Sequence, residues 1–211
     1  MADKPRLVIA TGNLHKIDEM RHQLSAWFEV FGLPKDYSSP IENGDSFAAN
    51  ARIKSETAAQ RLDALCLADD SGLCVDHLGG APGIFSSRYC GVEGDDEANN
   101  DKLLKVLAEV APNSRGARFV CALSLAGPGG EIAAFEGCFE GSIGFERRGP
   151  NGFGYDPIFM LPEGLSSAEL QPSDKQRRSH RGVALAHLAR SLAQGDLYAR
   201  CHESRNEVGS A

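Results

Sequence analysis

The adjacent carboxylates Asp69 and Asp70 are the residues whose type and spacing are best suited to chemistry. Carboxylate oxygens are preferred Mg²⁺ ligands, and an aspartate beside a bound substrate can also take a proton from an attacking water. The sequence Asp-Asp-Ser-Gly is equally good turn chemistry, and for this motif alone the turn is the favoured interpretation. Glu42, in an upstream loop that contains Pro and Gly, could bring a third carboxylate to the same place.

A second candidate site lies where the apolar run 6–10 gives way to a helical pattern. Backbone N–H groups at the start of a helix attract anions, and a lysine in the first turn adds a full positive charge. The spacing matches neither a P-loop nor a dinucleotide-binding glycine motif. Taken alone, this segment is better explained as an ordinary turn followed by a solvated lysine. The residues concerned are Thr11, Gly12, Asn13, Leu14, His15 and Lys16.

The segment 175–181, Lys-Gln-Arg-Arg-Ser-His-Arg, is strongly basic within an acidic chain. Its cations could bind a phosphate, and an arginine there could donate hydrogen bonds to a purine O6. A solvated charge run beside a helix is the competing interpretation, and the two are equally supported. The candidate binding residues in this segment are Lys175, His180 and Arg181.

A glycine-rich loop carries two aromatic residues in the sequence Phe153, Gly154, Tyr155 and Asp156. A nucleobase could stack on an aromatic ring here, with Asp156 accepting a hydrogen bond from a ring N–H. The alternative, favoured for this motif alone, is a buried anchor that precedes a core strand.

Composition and charge restrict the class of protein. The chain has 211 residues and a formal net charge of −7, which argues against binding a nucleic-acid polymer through a basic face. No apolar run approaches the roughly 20 residues of a spanning helix, and a signal peptide is not indicated, so we expect a cytoplasmic protein that binds no membrane. The six cysteines contain no C-x-x-C pair and the histidines no H-E-x-x-H motif, so we predict neither a zinc site nor a disulfide framework.

Strand and helix patterns alternate along the chain, which predicts an α/β or α+β fold with a mixed sheet. A strand at 6–10 precedes a helix, and a second helix over about 46–62 places Asn50 and Lys54 on one face. Segments 65–68 and 73–75 are strand-like, with a turn between them. A hairpin joins 117–125 to 131–139 through a five-residue loop, and the last helix begins near His180. Residues 196–211 resemble a dispensable tail.

Together these motifs supply the groups needed to bind a nucleoside triphosphate and its metal. They include lysines for phosphate, carboxylates for a divalent cation, an aromatic ring for a base, and donors for its edge. The sequence indicates no serine or cysteine nucleophile with a paired base, so direct attack by water is the simpler chemistry.

The chain resembles the inosine triphosphate pyrophosphatases, also called dITP/XTP pyrophosphatases. Six motifs carry the resemblance, occur in family order and extend over residues 7–195. They are Ala-Thr-Gly-Asn at 10–13 with Lys16; Glu-Asn-Gly at 42–44 with Phe47, Asn50 and Lys54; 68–73; 78–84; 152–159; and Ser-His-Arg-Gly at 179–182.

The resemblance implies a single domain over 1–211, with a mixed, elongated central sheet flanked by helices and two lobes around an active-site cleft. It also implies a homodimer and Mg²⁺-dependent hydrolysis of ITP, dITP and XTP to monophosphate and pyrophosphate. It makes Asp70 the proton acceptor and a metal ligand, with Glu42 as a further metal ligand and Asp69 as their support. The implied substrate-binding residues are 11–16, Lys54, Ser71, the loop residues Phe153, Gly154, Tyr155 and Asp156, and Lys175, His180 and Arg181.

Two departures from the family pattern are Ala49, where many members carry glutamate, and Arg178, where the position is usually apolar. Two alternatives remain open. One is a Maf-type pyrophosphatase acting on pyrimidine or modified nucleotides, which is not expected to carry the Phe-Gly-Tyr-Asp and Ser-His-Arg motifs. The other is a nucleotide sensor that has lost hydrolysis, which Ala49 alone favours and Asp70 and Lys54 oppose.

Overall fold

A computed structural model describes residues 4–206 of the chain. The chain divides into two compact units: unit 1 comprises Met1–Asp70, Ala122–Gly137 and Ala184–Ala211, and unit 2 comprises Ser71–Cys121 and Cys138–Val183. No helix within residues 4–206 is long and apolar enough to cross a membrane.

The fold is a six-stranded sheet in the order β2-β1-β3-β4-β5-β6, with helices between its strands, and the expected mixed α/β class is confirmed. The strands are β1 (Arg6–Ile9), β2 (Glu29–Gly32), β3 (Leu65–Val75), β4 (Gly116–Gly127), β5 (Gly130–Ile143) and β6 (Phe159–Met160). The helices are α1 (Leu14–Leu24), α2 (Phe47–Leu62), α3 (Asp96–Val106), α4 (Pro172–Arg178), α5 (His180–Ala193) and α6 (Asp196–Asn206).

In unit 1, β1 pairs in parallel with β2 and β3, and Ile9 is the partner of Leu67. Extending this register by two residues brings Thr11 level with Asp69. Small side chains, mostly alanines from α2 and β3, form the core between this sheet and α2, which lets the helix approach closely. The loop after β1 and the part of β3 around Asp69 are thereby held side by side.

The turn expected between 68 and 73 is absent, because Asp69, Asp70, Ser71 and Gly72 all lie within the continuous strand β3. Asp-Asp-Ser-Gly has turn propensity, but ladder pairing and the burial of the flanking residues override a local preference of this size. This correction affects the chemistry: successive side chains of a strand point to opposite faces, so the two carboxylates do not face the same way.

The hairpin and the C-terminal segment also differ from the sequence expectation. Strands β4 and β5 extend further than expected and are joined through Pro128 and Gly129 alone. The segment after Gly195 forms α6 as far as Asn206, and its Leu197 and Cys201 are buried. A helix that buries apolar side chains contributes to the core, so this part of the segment is not a dispensable tail.

Unit 2 has its own core of leucine, isoleucine and aromatic side chains around Leu73, Leu103 and Phe159. Asp95 caps α3 by accepting a hydrogen bond from the N–H of Ala98 at 3.0 Å. The buried Arg115 donates to the backbone carbonyls of Ile143, Leu107 and Gly144, so its charge is solvated by peptide dipoles. These contacts fix the end of β5, which precedes the glycine-rich loop along the chain.

Candidate active site

In unit 1, Asp70 lies among side chains of α2. Lys54 Nζ is 3.3 Å from Asp70 Oδ1, and Asn50 Nδ2 donates to Asp70 Oδ2 at 3.2 Å. The same ammonium donates to Glu42 Oε2 at 2.9 Å. Asn50 and Lys54 are four residues apart on one helix face, as the sequence predicted, so one turn of α2 provides both donors.

Desolvation by burial raises the pKa of Asp70 above its ordinary value, and the nearby negative charge of Glu42 raises it further. These two effects outweigh the positive charge of Lys54 and the hydrogen bonds from Asn50 and Lys54, which lower the pKa. Burial alone would lower the pKa of Lys54, but the charges of Asp70, Asp69 and Glu42 raise it instead. The lysine therefore stays charged, and Asp70 is a stronger base than an exposed aspartate.

Asp69 points to the opposite face of β3 and meets α1. Lys16 Nζ lies 2.8 Å from Asp69 Oδ2, and the Asp69 carboxylate is buried while the lysine remains partly exposed. Each of the adjacent aspartates therefore has its own lysine. In this geometry Asp69 supports Lys16, in the first turn of α1, rather than forming a carboxylate pair with Asp70.

The start of α1 is only partly available to an anion. Asn13 caps the helix, and its Oδ1 accepts from the N–H groups of His15 at 3.0 Å and Lys16 at 3.3 Å. Thr11 Oγ1 accepts from the N–H of Asn13 at 3.2 Å. Side chains thus take up several amides that the sequence interpretation assigned to phosphate, while Gly12 and Leu14 stay exposed.

Asn50 is a site residue that our sequence-based list of site residues omitted. It is only 3% exposed, and its Oδ1 accepts from the N–H of Gly44 at 2.8 Å while its amide donates to Asp70. A Cβ at Gly44 would lie 2.8 Å from that oxygen, so glycine is required for the close approach. The helical spacing from Lys54 was the available signal, but only the structure shows that Asn50 joins the Glu42 loop to Asp70.

The donor set of unit 1 is compatible with a divalent cation bound together with substrate. Among the described residues, no group of three or more His, Cys, Asp or Glu side chains is arranged to hold a metal ion. Mg²⁺ needs no such cage, since it keeps several waters and takes one or two carboxylates plus substrate phosphates. Glu42 and Asp70 both contact the ammonium of Lys54, so two hard oxygen donors already surround one positive charge.

In unit 2, Asp156 organises the glycine-rich loop. It is buried; its Oδ2 accepts from the N–H of Phe153 at 2.9 Å and from Lys175 Nζ, and its Oδ1 accepts from Ser167 Oγ at 2.7 Å. Lys175 Nζ lies 5.2 Å from the centroid of the Phe153 ring. Asp156 thus holds a lysine beside an aromatic ring that is 65% exposed.

The two aromatic residues of the loop have different environments. Tyr155 is 4% exposed, and its hydroxyl donates to the backbone carbonyl of Ser86 at 2.8 Å. Its ring is part of the unit 2 core and anchors the loop, which leaves Phe153 as the ring available for stacking. For Tyr155, the alternative interpretation as a buried anchor fits the structure.

The basic segment 175–181 lies in α4 and the start of α5. Arg177 pairs with Asp174 at 2.5 Å and Arg178 with Glu163 at 2.5 Å, so neighbouring acids balance these cations. The His180 ring stacks on Phe119, with centroids 5.1 Å apart, and Arg181 is only 6% exposed. Ser71 is also in unit 2, half-buried on β3.

Comparison with known proteins agrees with this arrangement of motifs. A family model described as the Ham1 family matches residues 7–191. The chain belongs to the Ham1 family. The chain is 47% identical over 195 residues to a protein of Thioalkalivibrio sulfidiphilus, covering 89% of this chain and 98% of that one. It is 45% identical over 191 residues to a protein of Exiguobacterium sibiricum, with 89% and 96% covered. Both relatives are named dITP/XTP pyrophosphatase.

A solved Ham1 protein of Staphylococcus aureus has the same fold, with a TM-score of 0.83 and 40% identity over 90% of this chain and 98% of that chain. The resemblance to inosine triphosphate pyrophosphatases is therefore confirmed at the level of family and fold. The matched residues include Lys16, Lys54, Asp70 and the Phe153 loop, so both clusters described above lie within the Ham1 region.

Proposed function

We propose that this Ham1 family member is a nucleoside triphosphate pyrophosphatase that hydrolyses ITP, dITP and XTP to the monophosphate and pyrophosphate. The observation that carries the proposal is the half-buried Asp70, held between Lys54 and Asn50 with its pKa raised. The names of the relatives supply the substrate class.

In the proposed reaction, Asp70 takes a proton from a water that attacks the α-phosphorus. A new oxygen–phosphorus bond forms there, the bond from the α-phosphorus to the bridging oxygen breaks, and pyrophosphate leaves. The raised pKa of Asp70 supports the assignment, because a stronger base removes the proton more readily. Asn50 fixes the carboxylate by donating to Oδ2, which leaves the Oδ1 edge beside Lys54.

Lys16 and Lys54 bind the negative charge of the triphosphate in this proposal. Both side chains are partly exposed and already held by carboxylates, so little reorganisation is needed when phosphate oxygens replace part of those contacts. Glu42 and Asp70 would hold Mg²⁺, which when bound supplies positive charge against the triphosphate. The remaining residues of 11–16 and Ser71 contact phosphate and sugar.

The base is recognised by the cluster in unit 2. The exposed ring of Phe153 stacks on the purine, and Lys175, which Asp156 holds beside that ring, donates to the purine edge. The family resemblance assigns His180 and Arg181 to the same edge. A 6-keto purine presents O6 as an acceptor, whereas adenine presents an N6 donor. Adenine would leave buried donors unpaired, a penalty that can exclude it strongly.

We further propose that the enzyme is a homodimer that works in the cytoplasm and acts on free nucleotides rather than on nucleic acid. The six cysteines, all free thiols, support a reducing compartment. The proposal of a homodimer is based on the family resemblance.

A substrate panel tests the function. The protein is incubated with Mg²⁺ and ITP, XTP, dITP, GTP, ATP or dTTP, and the released anion is identified. We expect pyrophosphate from ITP, dITP and XTP, and little turnover of ATP. Orthophosphate as the first product would contradict cleavage at the α–β bond, faster turnover of dTTP would favour a Maf-type enzyme, and tight binding without turnover would favour a sensor.

A further inference from the structure

The Phe153 ring is on a loop that would be mobile if nothing held it. The ring is 65% exposed, and the flanking Gly152 and Gly154 have positive φ angles of 86° and 61°. Glycines allow many backbone conformations, and ordering them costs entropy. A ring that stacks on a base binds best when that entropy has been lost before the base arrives. The loop therefore needs an anchor close to Phe153.

Helix α3 provides such an anchor at the residue after Phe153. The N–H of Gly154 donates to Asp96 Oδ2 at 2.7 Å, and Asn100 Nδ2 donates to the carbonyl of Gly154 at 2.9 Å. Asp96 and Asn100 are four residues apart and so share a face of α3. The N–H and the carbonyl of Gly154 are thus both bound by side chains of α3 that lie one helical turn apart.

The same helix also holds the segment on which Tyr155 is anchored. Asn99 Oδ1 accepts from the N–H of Cys90 at 2.7 Å, and Asn99 Nδ2 donates to the carbonyl of Ser87 at 3.3 Å. The Tyr155 hydroxyl donates to the carbonyl of Ser86 at 2.8 Å. Hydrogen bonds from α3 therefore reach the Phe153 loop directly and through this second segment.

Stability alone does not explain Asn100. Its side chain is 1% exposed, yet Oδ1 accepts no hydrogen bond from any residue between 4 and 206. A buried polar atom without a partner destabilises the fold, and an apolar side chain of similar size would avoid that cost. The hydrogen bond from Asn100 fixes the carbonyl of Gly154, and we take this contact as the reason for an asparagine at this position.

We infer that Asp96 and Asn100 are positioning residues that fix Gly154 and thereby hold the Phe153 ring ready to stack on the purine. The inference rests on the proposed function, in which Phe153 binds the base. Neither residue needs to touch the nucleotide. Asp96 and Asn100 together with the Gly154 backbone groups that they bind are called the clamp below. Loss of the clamp should weaken substrate binding more than turnover, because Asp70 and Lys54 belong to unit 1 and the clamp belongs to unit 2.

The loop can be observed without any substrate. Trp27 is the single tryptophan of the chain, so a Trp27→Phe, Phe153→Trp background places the single indole on the loop. In this background we expect Asn100→Ala to increase the fast component of tryptophan anisotropy decay. Lys105→Ala, an exposed position on the same helix, is the matched control and should change nothing.

Steady-state kinetics on the protein that keeps Phe153 and Trp27 measure the consequence for substrate binding. Asn100→Ala should raise KM for ITP about tenfold, the effect of roughly one hydrogen bond, while kcat changes less than twofold. Asp96→Ala should act in the same direction, and Asp96→Asn, which keeps an acceptor oxygen, should stay close to the unaltered protein. Asp96 is only half-buried, so its variants keep the test available even where Asn100→Ala folds poorly.

Unchanged anisotropy in both Asn100→Ala and Asp96→Ala would overturn the clamp, whatever the enzyme does. Increased mobility with unchanged KM would overturn the link from the clamp to base binding. If the unaltered protein released pyrophosphate from no nucleotide, the proposed function would fail, and the anisotropy alone would still uphold or overturn the clamp.

Discussion

Asn50 offers a quantitative test of how the unit 1 cluster is held together. Replacing it by alanine removes the donor to Asp70 Oδ2 and the acceptor of the Gly44 N–H, both at a position that is 3% exposed. A buried amide left without a partner costs about 1–3 kcal/mol, and a hydrogen bond to a charged group about 1.5–3 kcal/mol. Because Lys54 still contacts Asp70 in the variant, the two contributions do not add in full, and we expect Asn50→Ala to lower the free energy of unfolding by about 2.5–4 kcal/mol, roughly 5–16 °C in Tm.

The same substitution should lower kcat, because Asp70 loses the contact that orients its carboxylate. A loss of about 1.5–3 kcal/mol in the transition state corresponds to a fall of about 10- to 100-fold. KM for ITP should change far less, since the base-binding residues lie in unit 2. The measurements are urea unfolding and steady-state kinetics on the same preparation.

Asn99→Ala is the matched control. Asn99 is 2% exposed and, like Asn50, both donates and accepts, but its partners are backbone groups of Ser87 and Cys90. It should lose comparable stability while keeping kcat. Equal losses of kcat in the two variants, or an unchanged kcat in Asn50→Ala, would refute the claim that Asn50 acts on Asp70.

Three further predictions concern stability. Ser46 caps α2 by accepting a hydrogen bond from the N–H of Ala49, so Ala49→Glu would complete a capping box. We expect this substitution to raise the free energy of unfolding, measured by urea titration, by about 0.5–1 kcal/mol, and a decrease would contradict the capping box. Burial raises the pKa of Cys66 from 9.0 to about 12, so unfolding releases a proton above pH 9 and stability should fall by about 1.4 kcal/mol per pH unit between those values. Unfolding measured at pH 8–11 should show a shallower decline in Cys66→Ala. Leu197→Ala should cost about 2–5 kcal/mol in the same assay, and no loss would mean that α6 is dispensable.

Much of unit 1 could be predicted because its signals are local. The apolar run before Thr11, the spacing of Asn50 and Lys54 and the capping serine all depend on residues close together in sequence. Strand β2 is only four residues long and begins shortly after the end of α1, so its pattern was too short to indicate a strand. The turn expected at Asp69 was wrong because pairing with neighbouring strands, which are distant in sequence, outweighs the preference of the motif.

The limits of the site prediction have the same origin. The types of residue at Asp70, Lys54 and Lys175 indicated their chemistry, but which lysine meets which carboxylate depends on strand direction and face. The motifs that carry the family resemblance include the residues expected to contact substrate, but not Asp96 or Asn100. These two residues bind the backbone of Gly154, and in our inference they act on the base only through it. Tertiary contacts of this kind leave no periodic signal in the sequence.

The most direct test of the account is hydrolysis of ITP in water enriched in heavy oxygen, followed by mass spectrometry of both products. Attack at the α-phosphorus predicts that the label enters the monophosphate and that the pyrophosphate is unlabelled. Asp70→Asn should slow this turnover by about a thousandfold while ITP still binds. Label in the pyrophosphate, or near-normal turnover in Asp70→Asn, would contradict the assignment of water attack and of Asp70 as its base.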